Sequence, residues 1–304
     1  MPITIPVIGA ARPIEQQAQS AVAATSSATA RSLTRVCNDS AAASIGTSAH
    51  PARYDVAALR EWSNGGQPSE NRGEAAARCQ RAFSCGFPRL TLANLGLRSL
   101  PPIPPDVRSL DVSLNPLVSL PSIPATLTHF RCMQCNLTFL PQLPAGLTSL
   151  EANMNALAAL PALPAGLRTL SLSRVTMSSL PELPDGLEWL SVSGDAITMA
   201  PNAWPSRLRV LELSSSASEV PPLPLTLEVC DLRRNRLTDL PANSAELRHL
   251  RQDGLGRRAI NLSMNPLSVD AQQQAHIMNL QPDLPSIHLV PEWFVHEGVP
   301  LLPA

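Results

Sequence analysis

Leu-Pro recurs every 20 residues through the middle of this chain: Leu100-Pro101, Leu120-Pro121, Leu140-Pro141, Leu160-Pro161, Leu180-Pro181 and Leu240-Pro241, with Ala200-Pro201 and Val220-Pro221 holding the register. A unit this short cannot bury its own apolar side chains, so neighbouring units must stack and bury a shared core. The consensus reads Leu-Pro-x-Leu-Pro-x-x-Leu-x-x-Leu-x-Val-x-x-Asn-x-Leu-x-x, clearest over 100–119 and 160–179.

Two apolar columns carry that core. One holds Val107, Leu127, Leu147, Leu167, Leu187, Leu208, Leu227 and Leu247; the other holds Leu110, Phe130, Leu150, Leu170, Leu190, Leu211, Cys230 and Leu250. Each buried leucine contributes roughly 1.5–3 kcal/mol. The alternation in Leu110-Asp111-Val112 and Leu170-Ser171-Leu172 predicts a short strand with two side chains in and one out. Prolines in the Pro-x-Leu-Pro segments cannot donate ladder hydrogen bonds and suit an extended return. Twenty residues also leave no room for strand, turn and helix together. The predicted fold is a leucine-rich-repeat solenoid, with a parallel β-sheet on its concave face and an extended, polyproline-like convex face.

After the strand comes an asparagine column: Asn115, Asn155, Asn235 and Asn265, with Cys135, Val175, Asp195 and Ser216 at the matching places. A buried amide that donates and accepts satisfies loop backbone groups between turns. A local irregularity is expected where Val175 replaces it. The turn through Pro201-Asn202-Ala203-Trp204-Pro205 has one residue more before its strand at Leu211 and one fewer after it.

The ends differ from the repeats. Residues 1–50 are rich in Ala, Ser and Thr, with few large apolar side chains, and are expected to be a disordered leader. Residues 51–88 read as an N-terminal helical hairpin cap: Tyr54, Ala58 and Trp62 share one face, Ala75, Cys79, Ala82 and Phe83 another, and Gly65-Gly66-Gln67-Pro68 separates them. Repeats fill 89–268, ending in a last strand and asparagine turn at 259–268. Residues 269–304 form a C-terminal helical cap, with a helix over 269–280, and an apolar tail.

The 31 prolines suggest disorder only until their fixed repeat positions are noticed. A net charge of −1 gives no reason to expect nucleic acid or a membrane surface. No apolar run reaches the ~18–20 residues of a membrane span. The first nine residues lack the basic segment of a cleaved secretory signal, and a surface-anchored adhesion solenoid would need such a signal or an anchor.

Chemistry-bearing motifs are sparse. Of the six cysteines, Cys132 and Cys135 resemble half a zinc site, yet no partner pair exists and both fall in repeat columns, so they read as reduced structural thiols. Gly254-Leu255-Gly256-Arg257-Arg258 lacks the third glycine of a phosphate loop, and Glu292-Trp293-Phe294-Val295-His296-Glu297 lacks the paired histidines of a zinc hydrolase. The histidines are scattered, with His129 and His249 in the outward strand column. No cofactor and no metal are expected.

The Leu-Pro-x-Leu-Pro repeats, the Trp62…Glu70-Asn71-Arg72…Glu74-Ala75 helix pair and the closing Ile260-Asn261-Leu262-Ser263-Met264-Asn265-Pro266-Leu267-Ser268 together resemble the leucine-rich-repeat type III effectors of Gram-negative pathogens. These are the IpaH, SspH and YopM group and their counterparts in plant-pathogenic bacteria. The resemblance covers about 53–285. It implies secretion into a host cell, in the cytoplasm or nucleus, binding of a host protein, and a leader over 1–50 that a bacterial secretion chaperone could hold. Ligase members of the group carry a Cys-x-Asp nucleophile in a helical domain after the repeats. Here Cys37-Asn38-Asp39 lies before them, in a segment with nothing to lower the thiol pKa, and no catalytic residue is carried over. Two functions follow: a non-enzymatic binding module, or the substrate-recognition part of an E3 ubiquitin ligase whose catalytic domain is absent from the chain. A stop codon after Ala304 favours the first and a further Cys-x-Asp domain the second.

Outward strand positions have no packing duty, so their identities report function. In the middle turns the candidate partner-binding residues are His129, Arg131, Met133, Glu151, Asn153, Met154 and Trp189, an aromatic anchor and two methionines among small polar side chains, with Asp111 adding to the charged rim.

Overall fold

The computed structural model describes residues 54–117, 119–121, 123–194, 197–198, 200–247, 249–251, 259–281 and 283–289. The leader, Cys37, Asp195, 252–258 and the tail from 290 lie outside the described residues.

Ten strands follow one another in a single parallel sheet, each beside its predecessor in sequence. They are β1 (Arg89–Thr91), β2 (Ser109–Asp111), β3 (His129–Arg131), β4 (Ser149–Glu151), β5 (Thr169–Ser173), β6 (Trp189–Ser193), β7 (Val210–Ser214), β8 (Val229–Asp231), β9 (Ala259–Asn261) and β10 (Ser286–His288). The register runs Leu90, Leu110, Phe130, Leu150, Leu170, Leu190, Leu211, Cys230, Ile260, Ile287, none more than 3% exposed. The second leucine column, from Val107 to Leu247, is equally buried. Each of its residues from Val107 to Leu227 donates its N–H to the proline carbonyl three residues back at 3.0–3.2 Å, which turns the extended return into the next strand. Among the described residues between Pro121 and Ser193 there is no helix, so the return face is extended as the prolines dictate.

The asparagine column works as a staple between turns. Asn115 Oδ1 accepts from the N–H groups of Leu95 and Leu97, and its Nδ2 donates to the carbonyls of Leu92 and Val112. Asn155 repeats this one turn pair later with Cys135, Leu137, Cys132 and Ala152. The residue just before the column is left-handed without being glycine: Leu114, Gln134, Met154, Arg174, Arg234 and Met264 have φ of 52–62°. Such a conformation costs about 1–2 kcal/mol per residue, and the amide network offsets it.

The irregularity expected at Val175 takes the form of longer strands. β5, β6 and β7 have five residues where their neighbours have three, and the ladder continues through Leu172–Val192 and Ser173–Ser193. One column assignment needs correction. Ser215, not Ser216, holds the buried seat of that turn, donating its N–H and hydroxyl to Asn235 Oδ1. The residue lost after β7 is lost between strand and column, so Ser216 takes the place of Thr176: its N–H bonds Ile197 O as that of Thr176 bonds Leu157 O. The extra residue before β7 is taken up locally, since Leu190 pairs Leu211 and Leu211 pairs Cys230. Trp204 from that insertion is buried and donates to Pro221 O.

Two further differences lie at the C-terminal end. Cys230 pairs with Ile260 and not with Leu250, because the turn between β8 and β9 is longer than the repeat; Leu250 stays buried beside the ladder. His249 is exposed but lies before the strand edge, since the N–H that bonds Glu228 O belongs to Arg251. A strand that the periodicity did not show, β10, then follows the capping helix.

A helical pair precedes the first strand, and a third helix lies in sequence between β9 and β10, the strand that ends the sheet. α1 (Val56–Asn64) and α2 (Arg72–Cys85) are N-capped by Asp55 and Asn71, and Gly86 ends α2 in the left-handed region. They bury Tyr54, Leu59, Ala75, Cys79 and Ala82; Leu59 rather than Ala58 is the deep contact of α1. The Glu70 side chain, only 1% exposed, joins cap to repeat. It accepts from the N–H groups of Gln67 and Arg98 and from Arg72, whose guanidinium also reaches Trp62 O and Ser99 Oγ and lies 4.7 Å over the Trp62 ring. A Cβ on Gly66, at φ 92°, would sit 2.2 Å from Arg72 Nε, so that turn admits only glycine. At the other end α3 (Val269–Asn279) is capped by Ser268 and buries Ala271, Ala275 and Met278, and Asn279 brackets the backbone of Ile287.

Candidate protein-binding face

Strand alternation sends one set of side chains into the core and leaves the other on a continuous sheet face. Because the register is exact across ten strands, that face is a lattice of columns. The first outward column runs Ser109, His129, Ser149, Thr169, Trp189, Val210, Val229; the second runs Asp111, Arg131, Glu151, Ser171, Ser191, Glu212, Asp231.

Of the seven candidate residues, the structure brings six together on β3, β4 and the loops after them. His129 is exposed, with its Nδ1 2.9 Å from Thr128 Oγ1. Arg131 and Glu151 are cross-strand partners and form a two-pronged ion pair at 2.9 and 2.8 Å. Bonding to Glu151 raises the Arg131 pKa, burial opposes this, and the Asp111 charge adds to the rise. A part-exposed pair of this kind contributes about 0–1 kcal/mol, so Arg131 can exchange Glu151 for a partner's carboxylate at little loss. Asn153 is less available: its Oδ1 accepts from Ser173 N–H and Ser171 Oγ. Met133 is half-buried, and Met154 sits past the strand in the left-handed position, 39% exposed.

Trp189 stands apart on β6, with β5 between it and the β4 cluster. Its register partners are Thr169 and Val210, and 45% of it stays exposed. Val210 and Val229 continue it as a half-exposed apolar strip across β7 and β8. Sequence reasoning missed those two valines, since the changed turn length hides their column.

It also missed the edge of the sheet. The residues just before β2 to β8 form their own column, Arg108, Thr128, Thr148, Arg168, Glu188, Arg209 and Glu228, which Arg251 extends; from Thr128 on, each N–H donates to the preceding member's carbonyl at 2.7–2.8 Å. Arg168 pairs with Glu188, and Glu228 takes both Arg209 and Arg251. Those two arginines hold the Glu228 carboxyl below its ordinary range, Arg251 most strongly.

Cys79, Cys85, Cys132, Cys135 and Cys230 form no disulfide, and all but Cys85 are buried. Burial raises the Cys135 thiol to about 11 and the Cys79 thiol to about 12, and pushes Cys132 and Cys230 up as well, so they stay protonated at neutral pH. Among the described residues no group of three or more His, Cys, Asp or Glu could hold a metal ion, and no helix is long and apolar enough to cross a membrane.

No protein-family model matches the chain, and no curated protein matches it. Among solved structures it is similar to YopM, a leucine-rich effector protein from Yersinia pestis, at 29% identity and a TM-score of 0.63, over 69% of this chain and 59% of that one. It is also similar to a Shigella effector leucine-rich-repeat domain, at 27% identity and a TM-score of 0.55, over 77% of this chain and 94% of that one. The chain thus spans less than two thirds of the YopM structure. Its resemblance to leucine-rich-repeat effectors, carried in sequence by repeats and caps, holds in three dimensions.

Proposed function

We propose that this chain is a secreted bacterial effector that enters a host cell and grips a host protein with the outward face of its sheet. The observation that carries the reading is Trp189: a large aromatic side chain, nearly half exposed, on a face whose strand leucines are all committed to the core. Tryptophan is enriched among residues that dominate binding energy, and here it is continued by Val210 and Val229 and framed by charged pairs. The likeness to YopM and to the Shigella domain supports the effector part of the reading. Residues 1–50, outside the described residues, serve in this reading as the secretion leader and chaperone-binding segment.

The test is capture from host lysate on the immobilised full chain, beside a Trp189→Ala column. A host protein retained by the first and depleted on the second supports the reading; equal retention on both moves the binding surface away from β6.

A further inference from the structure

We infer that the β6–β8 edge of the sheet takes an extended acidic segment of a partner protein, with apolar side chains on the Trp189 strip and carboxylates on an arginine row. This rests on the sheet-face reading above and names the class of segment bound there. A shallow, open depression of about 600 Å³ lies along the N-terminal edge of these strands, lined by Arg207, Arg209, Arg251, Glu188, Glu228 and His249. With Arg168, which pairs with Glu188, these described residues put four arginines against two glutamates. That is a local excess of two positive charges, four minus two, on a chain whose net charge is −1.

The pairing within the depression leaves room for a guest. Glu228 alone serves both Arg209 and Arg251, so each shares one carboxylate, and Arg207 is exposed and makes no ion pair with any described residue. On the far side of the strip the second outward column carries Glu212 and Asp231 next to Ser191, with Asp231 paired to Arg233 at 3.0 Å. A bound carboxylate meets Glu212 on that side and the arginine row at the edge, while Trp189, Val210 and Val229 lie between the two. An extended chain that alternates acidic and apolar residues meets both features at once, because its side chains alternate in direction.

The probe is a fluorescein-labelled ten-residue peptide alternating glutamate and leucine, titrated with the full chain and read by anisotropy. Its comparators are the same peptide with glutamine for glutamate and a single-stranded ten-nucleotide thymidine oligomer. The expected result is saturable binding of the acidic peptide. It weakens at least fivefold with the glutamine peptide and in the Arg207→Glu/Arg251→Glu variant, and is unchanged in Arg81→Gln, an exposed arginine of the N-terminal cap. Equal binding of the glutamine peptide, equal binding of the oligonucleotide, or an unaffected double variant overturns the inference. If the double variant melts lower than the parent, Arg207→Gln alone is the deciding variant, with at least a twofold loss expected and no loss contradicting the proposal. Failure of the wild-type chain to bind the peptide overturns this inference and leaves the sheet-face reading to the Trp189→Ala capture, which reads it separately.

Discussion

Asn155 accepts the backbone N–H of Cys135, one full turn earlier, at 3.0 Å, and the same side chain donates to the carbonyls of Cys132 and Ala152. One amide thus ties two turns together at a point where the backbone bends out of the sheet. Asn155→Ala leaves these groups buried without partners and is expected to cost about 2–4 kcal/mol. Asn153→Ala, whose partners are half-exposed, costs less than ~1 kcal/mol. Urea denaturation midpoints of the two variants separate them; equal midpoints would mean that the column is not a staple.

Leu150→Ala and Leu170→Ala each open a cavity between fully buried neighbours in the ladder, with an expected loss of about 2–5 kcal/mol. Ser171→Ala, next to Leu170 on the outward face, stays within ~0.5 kcal/mol. Thermal melts that fall alike for both classes would contradict the assignment of inward and outward positions.

Glu70 links acid sensitivity to the N-terminal cap. Burial alone would raise its carboxyl, but the N–H groups of Gln67 and Arg98 and the Arg72 guanidinium hold it below the usual carboxylate value. Its folded pKa lies below its unfolded one, so its stabilisation is present above the unfolded pKa of ~4.3 and is lost as pH falls through the folded value. The melting temperature of the parent is expected to drop faster below about pH 4.5 than that of Glu70→Gln, which is lower at neutral pH. Parallel curves would show that Glu70 does not carry the linkage.

The solenoid was legible because one period fixes strand, turn and core together: once Leu110, Phe130 and Leu150 share a column, their pairing follows. The legibility ended where the period changed. Ser216 falls in the column when five residues are counted on from Leu211, a count that cannot tell that the missing residue is lost between the strand and the buried seat. Leu250 looked like a strand residue because it fits the 20-residue count, whereas the extra length before Ile260 is taken up outside the ladder. β10 is three residues, Ser286-Ile287-His288, with no column to announce it. At the candidate site the outward residues of β3 and β4 could be counted off directly. The ion pair of Arg131 with Glu151, the valines beside Trp189 and the arginine edge depend on neighbours one turn away, and a linear reading brings these together only when the turn lengths are known.

Thiol chemistry follows from burial. In a Cys37→Ser chain under native conditions, a thiol-reactive probe such as a disulfide dye should label Cys85 alone, with Cys79, Cys132, Cys135 and Cys230 reacting only on unfolding. Rapid native labelling of Cys132 or Cys135, read by peptide mass, would contradict the packing of the third turn.

Arg131 is flanked in register by Asp111 and Glu151, so Arg131→Glu would line up three carboxylates and disturb the sheet as well as any interface. Arg131→Gln removes the charge without that effect. It is expected to weaken host-protein binding by more than ~1 kcal/mol at nearly constant melting temperature if Arg131 meets the partner.

The most direct measurement is calorimetric titration of the captured host protein into the full chain and into Trp189→Ala, with melting temperatures recorded for both. The account predicts at least a fivefold weaker Kd for Trp189→Ala at an unchanged melting temperature. An unchanged Kd would contradict it and place the partner on the caps or the return loops instead of the sheet.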